Sequence, residues 1–139
     1  MNLKTKRKKS SALKRSNKQE NIDLNFAYIA AKTAEEKKGE DIRLLDVSKL
    51  TVIADYFLII TAKSTPQVEA IAKYIEEKLN DLNCKLISKE GFIMSNWIVL
   101  DFGNVVVHIM REKEREYYKL DRFWSNAISI DSKVWKKAS

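Results

Sequence analysis

Trp97-Ile98-Val99-Leu100-Asp101-Phe102-Gly103-Asn104-Val105-Val106-Val107-His108-Ile109-Met110 holds two β-prone apolar runs joined by Gly-Asn. That pair favours a two-residue hairpin loop, because glycine takes up positive φ without steric cost. Such a loop sets the register. Phe102 opposes Val105, Asp101 opposes Val106, and the pairs continue through Leu100 with Val107, Val99 with His108 and Ile98 with Ile109 to Trp97 with Met110. Side chains alternate between the two faces of a strand. One face then carries Ile98, Leu100, Phe102, Val105, Val107 and Ile109, wholly apolar, and must turn to a core. The other carries Trp97, Val99, Asp101, Val106, His108 and Met110. Aromatic residues and methionine beside a lone charge are the composition of an interface centre. Two arrangements fit that face: an open docking surface, or coverage by a final helix that makes Trp97 and Met110 core residues.

Upstream, residues 55–62 contain Tyr56-Phe57-Leu58-Ile59-Ile60, a continuous apolar run expected to form a central strand buried on both faces. Ser64-Thr65-Pro66-Gln67 is a helix start, since the hydroxyls can cap free N–H groups and proline is tolerated in the first turn. Val68, Ile71, Ala72, Ile75, Leu79 and Leu82 form its buried stripe. Residues 41–47 predict another strand and residues 85–88 a weak one, followed by Gly91 and a loop to Asn96. A first helix is expected from Asn21 to Gly39, with Leu24, Ala27, Tyr28 and Ala31 at helical spacing. A last helix is expected over residues 112–127, with Tyr117, Leu120, Trp124 and Ile128 on its apolar side. The order αββαβββα predicts one α/β domain, with a mixed five-stranded sheet flanked by helices.

The 139 residues are 45% hydrophobic and 32% charged, enough apolar material for one globular core and no run long enough to span a membrane. The formal charge of +7 is unevenly placed. Lys4, Lys6, Arg7, Lys8, Lys9, Lys14, Arg15 and Lys18 put eight bases and no acid into residues 1–19. Residues 20–130 hold 15 bases against 18 acids, a net −3. Residues 1–20 therefore read as a disordered basic extension, with a solubilising, transit or phosphate-binding role open. Residues 21–130 read as the folded domain, and residues 131–139, with Lys133, Lys136 and Lys137, as a short basic tail. A mildly acidic body suits a basic protein surface, while the extension suits RNA phosphates.

Catalytic groups are sparse. One cysteine, Cys84, and one histidine, His108, exclude an internal disulfide and a Cys/His zinc cluster. His108 and Asp101 are diagonal neighbours on one face, yet a nucleophile to go with them is lacking. No Asp-x-Asp pair, Walker motif or Gly-x-Gly-x-x-Gly occurs. The expectation is a protein that is not an enzyme and needs no cofactor or metal.

Asp55-Tyr56-Phe57 with Ile59, Ser64, Gln67-Val68, Ala70-Ile71-Ala72, Glu90-Gly91, the run from Trp97 to Gly103, Val106-Val107-His108, Arg115, Tyr118, Leu120 and Trp124 occur in an order and spacing that resemble the ribosomal silencing factor family (RsfS, Iojap-like). The likeness spans residues 21–128. Ala62 stands where the family usually has glycine, Asn104 where aspartate is common, and the basic extension is atypical. The resemblance implies a nucleotidyltransferase-like fold without catalytic residues. It also implies a cytoplasmic translational repressor, homodimeric when free. Such a protein binds the large ribosomal subunit through ribosomal protein L14 and sterically blocks joining of the small subunit when nutrients are limited. On that reading Trp97, Val99, Asp101, Val106, His108 and Met110 face the partner, and the N-terminal lysines and arginines touch ribosomal RNA.

Overall fold

A computed structural model describes residues 17–138. The apolar run becomes strand β2 (Tyr56–Ala62), buried along its whole length as expected of a central strand. It lies between β1 (Glu40–Asp46), antiparallel to it, and β5 (Val105–Arg111), parallel to it. Beyond β5 come β4 (Trp97–Asp101) and β3 (Ser88–Phe92), both antiparallel. The full order is β3-β4-β5-β2-β1-β6, six strands where five were expected. The β4–β5 hairpin has the anticipated register, from Asp101 opposite Val106 to Trp97 opposite Met110. Phe102 N–H closes its loop on Val105 O at 2.9 Å. Gly103 takes φ 98, a value that strains any side chain.

Two helices cover one face of the sheet. Helix α1 (Asn17–Glu36) begins inside the segment expected to be disordered, so Lys18 lies in its exposed first turn. The other seven cations of the extension, Lys4 to Arg15, lie outside the described residues. Ala27, Ala30, Ala31 and Ala34 of α1 are fully buried, and their small side chains let the helix lie close to the sheet. A Cβ on Gly39 would sit 2.8 Å from Ile60 Cγ2, so only glycine lets the chain turn there into β1. Helix α2 (Thr65–Asp81) starts as anticipated, with Ser64 accepting from Gln67 N–H at 3.2 Å and Pro66 in the first turn. Val68, Ile71, Ala72, Ile75 and Leu79 join the α1 alanines and the apolar face of the hairpin in the main core.

Four expectations are corrected. The weak strand lies at Ser88–Phe92 rather than 85–88, because pairing with β4, not local composition, selects its residues. The last helix is two short pieces, α3 (Glu112–Tyr118) and α4 (Leu120–Phe123), broken at Lys119 with φ 52. Ile128 lies in a sixth strand, β6 (Ile128–Ile130), which pairs with the otherwise open edge of β1. The C-terminal segment is no tail either. Its helix α5 (Ser132–Lys137) is capped by Asp131 and buries Trp135 in the main core.

A candidate protein-docking face

The second face of the sheet is divided. Strand register places Leu45, Phe57, Ile59, Val106, His108 and Met110 on the inner strands, with Trp97, Val99 and Asp101 on β4 and Ser88, Glu90 and Phe92 on β3. The inner part is roofed. Leu120, Trp124 and Ala127 pack with Leu45, Val47, Ala54, Phe57, Ile59, Val106 and Met110 in a second, smaller apolar cluster. Trp124 meets Phe57 edge-on, with ring centroids 4.8 Å apart. The cover considered for the hairpin face is therefore present over its inner part, and the outer part on β3 and β4 is left partly exposed.

Arg115 fastens the roof. Its guanidinium is buried, donates to Asp121 through Nε at 3.0 Å and Nη2 at 2.8 Å, and reaches Thr61 Oγ1 on β2 at 2.8 Å. Nη1 also donates to the Asp41 carbonyl. One side chain thus ties α3, α4 and two strands together, and its two-pronged geometry suits a carboxylate. The hydrogen bond from Arg115 holds the Asp121 carboxyl below the usual carboxylate range. The left-handed Lys119 makes the fold-back possible by directing Leu120 and Trp124 onto the sheet.

The six hairpin residues separate accordingly. Met110 is fully buried and Val106 and His108 nearly so, which corrects the expectation that all six line an open surface. These three support the face from beneath; a partner cannot reach Met110 without moving the roof. Trp97, Val99 and Asp101 remain half-buried, with Trp97 and Val99 packed against the edge of the second cluster. Trp97 is held between Phe92 and Tyr118, at centroid distances of 5.5 and 5.1 Å, and its indole N–H donates to Nδ1 of His108 at 3.2 Å. Phe92 and Glu90 belong to the open part but escaped the hairpin pattern, because β3 carries little strand propensity; the signal was their register opposite Trp97 and Val99. Tyr118 contributes from the last residue of α3, just before the helix break at Lys119.

Electrostatically the open part is one-sided. Its β3 and β4 positions carry two carboxylates, Glu90 and Asp101, and no lysine or arginine. Burial pushes the His108 imidazole down to about 4, so at neutral pH it adds no charge. Asp101 accepts from Gly103 N–H at 2.8 Å and helps to hold the hairpin loop.

A catalytic dyad of His108 and Asp101 is not assembled, since Nδ1 of His108 receives the Trp97 indole and Nε2 has no partner among the described residues. Cys84 packs with the helical layer on the other side of the sheet, and burial, with Asp23 nearby, pushes its thiol up to about 11. It is a poor nucleophile there. Among the described residues no three His, Cys, Asp or Glu side chains converge on a metal position.

Known proteins share this fold and pattern. A crystal structure of a Chromobacterium violaceum protein superposes with a TM-score of 0.71 at 33% identity, covering 73% of this chain and 85% of the other. A ribosomal silencing factor of Bacillus subtilis is 39% identical over 103 residues, which is 74% of this chain and 87% of the relative. The chloroplastic Iojap protein of maize is 41% identical over 78% of this chain and 47% of its own length. A mouse mitochondrial protein named for assembly of the ribosomal large subunit is 29% identical over 65% of this chain and 41% of its own. The family model described as ribosomal silencing factor during starvation matches residues 18–139, a span that takes in α1, the whole sheet, the roof and the buried C-terminal helix. The chain therefore belongs to the ribosomal silencing factor family.

Proposed function

We propose that this protein docks on the large ribosomal subunit through ribosomal protein L14 and, by occupying that site, prevents the small subunit from joining. Trp97, Val99 and Asp101 form the contact together with Phe92, Glu90 and Tyr118. Occlusion needs no reacting group, so the protein works in the cytoplasm as a steric repressor and not as an enzyme. The observation that carries the reading is the partly open strip of β3 and β4, where a tryptophan clamped between two aromatic rings shares the face with Glu90 and Asp101, and none of the described β3 and β4 positions of that face is a lysine or arginine. A rigid aromatic anchor supplies contact area, and acidic neighbours favour a basic protein over an RNA backbone. A mouse relative named for the ribosomal large subunit points to the same particle. The N-terminal cations, Lys4 to Lys18, contact ribosomal RNA phosphates, and the free chain pairs with itself as a homodimer.

Sedimentation tests the reading. The protein travels with large subunits and lowers their joining with small ones, and Trp97→Glu abolishes both effects without unfolding the chain. Full blocking by that variant assigns the wrong surface. Removal of residues 1–19 weakens binding and flattens its dependence on salt, because each neutralised phosphate contributes to that slope; an unchanged slope reduces the extension to a spacer.

A further inference from the structure

The turn between β3 and β4 is built against local preference. Ile93, Met94 and Ser95 occupy three successive left-handed backbone positions, with φ 52, 55 and 67. Side chains with a Cβ disfavour this region, and β-branched isoleucine disfavours it most. Glycine or asparagine would relieve the strain, yet none of the three positions has either. The surroundings hold the turn in place. Asn96 N–H donates to Ile93 O at 3.1 Å, Asn96 O accepts from Arg111 N–H at 2.9 Å, and the Asn96 side chain receives the Thr65 hydroxyl from the start of α2.

The product of this strain is an apolar tip. Met94 is 93% exposed, and Ile93 and Phe92 beside it are 42% and 43% exposed. The tip is continuous with the docking strip, since the Phe92 ring rests on Trp97. Scattered apolar side chains on a surface need no explanation, but a contiguous group beside an exposed aromatic strip marks a contact region. Methionine is unbranched and polarisable, which suits it to fill a socket of irregular shape.

We infer that this turn is a docking prong, with Met94 entering an apolar socket on the basic protein that covers Trp97. The inference rests on the docking reading above and adds the anchor that fixes the partner's position. The occupant is a basic protein because the β3 and β4 positions of this face carry Glu90, one pair along from Trp97, and Asp101 at the far end of the strip, and none of them is a lysine or arginine. Phosphate backbones are repelled there. A second copy of this chain, related by a two-fold axis through the strip, would bring the same two carboxylates against each other.

The test compares wild type, Met94→Ser, Met94→Gly and Trp97→Glu for binding to purified large ribosomal subunits, for thermal unfolding and for self-association. Met94→Ser is expected to weaken subunit binding about tenfold, which corresponds to about 1.4 kcal/mol, with unfolding unchanged. Met94→Gly loses binding to a similar extent but unfolds at higher temperature, because glycine accepts the left-handed backbone. Wild-type binding by Met94→Ser, with binding lost in Trp97→Glu, overturns the prong and leaves the docking strip standing. Wild-type binding by both overturns the strip and the prong together. A Met94→Ser effect confined to self-association overturns the choice of partner.

Discussion

Trp97 donates its indole N–H to Nδ1 of His108, its diagonal neighbour across the β4–β5 pair, at 3.2 Å. The bond fixes the imidazole as a neutral acceptor, with the proton on Nε2, and places the stability of the aromatic strip around Trp97 under control of pH. Burial lowers the His108 pKa from 6.5 to about 4. Between those values the unfolded chain binds a proton that the folded chain refuses. The contribution is therefore complete above pH 6.5 and is lost as pH falls toward 4, amounting to about 3 kcal/mol. Denaturant titrations from pH 7 to pH 4 should show this decline, and His108→Gln, which keeps an acceptor for the indole, should flatten it. Asp121, lowered from 3.8, contributes only to the loss below that window.

Asn104 invites a charge test. Its side-chain amide donates to Asp23 Oδ2 at 2.9 Å, while its carbonyl accepts from Asp55 and Tyr56 N–H. An aspartate at 104 would set a second carboxylate against the buried Asp23. Asn104→Asp should cost about 2 kcal/mol at pH 7. The pair then holds one carboxyl pKa above its unfolded value, so the penalty is full at high pH and fades as pH falls through that raised value. A stability curve that runs parallel to wild type between pH 7 and pH 4 would refute the pairing.

The roof depends on one ionic fork. Asp121→Asn keeps the shape but removes the charge that pairs with the buried Arg115 guanidinium, and should destabilise the chain by about 2 kcal/mol. The loss should be local first. Amide exchange should quicken across residues 112–124 and Trp124 should leave Phe57, with α1 and α2 still protected. Uniform acceleration over the whole chain would mean that Arg115 serves global stability and not the roof.

Legibility in the sequence follows how local each signal is. The hairpin register and the cap at Ser64 were readable because turn geometry and capping chemistry lie within a few residues. The burial of β2 was readable because no polar residue interrupts 56–60. The sixth strand and the kinked roof were hidden, since both depend on distant partners: β6 answers the open edge of β1, and the break at Lys119 answers Arg115, Asp121 and the sheet surface. Of the site, Trp97, Val99 and Asp101 lay on the predicted face. Phe92 and Glu90 were lost because β3 owes its existence to β4. Met110 was misplaced because alternation assigns a residue to a face and says nothing of what covers that face.

The C-terminal segment, which composition presents as a basic tail, carries the sharpest stability prediction. Trp135 is 2% exposed and packs in the main core, while Val134 beside it is 48% exposed. Lys136 pairs with Glu35 at 3.0 Å, and Lys32 of α1 donates to the Ala138 carbonyl, so polar contacts on both sides hold α5 against α1. Losing a buried indole leaves a cavity that the rigid β1–α1 layer cannot fill, and Trp135→Ala should cost about 3–5 kcal/mol. Val134→Ala should cost less than about 0.5 kcal/mol, since an exposed side chain loses little on truncation. The Lys136–Glu35 pair is half-exposed and screened, so Lys136→Ala should change stability by no more than about 1 kcal/mol. Urea unfolding of the three variants separates a core element from a tail: comparable midpoints for all three would return α5 to the surface, whereas a collapse confined to Trp135→Ala makes the last helix part of the domain's core.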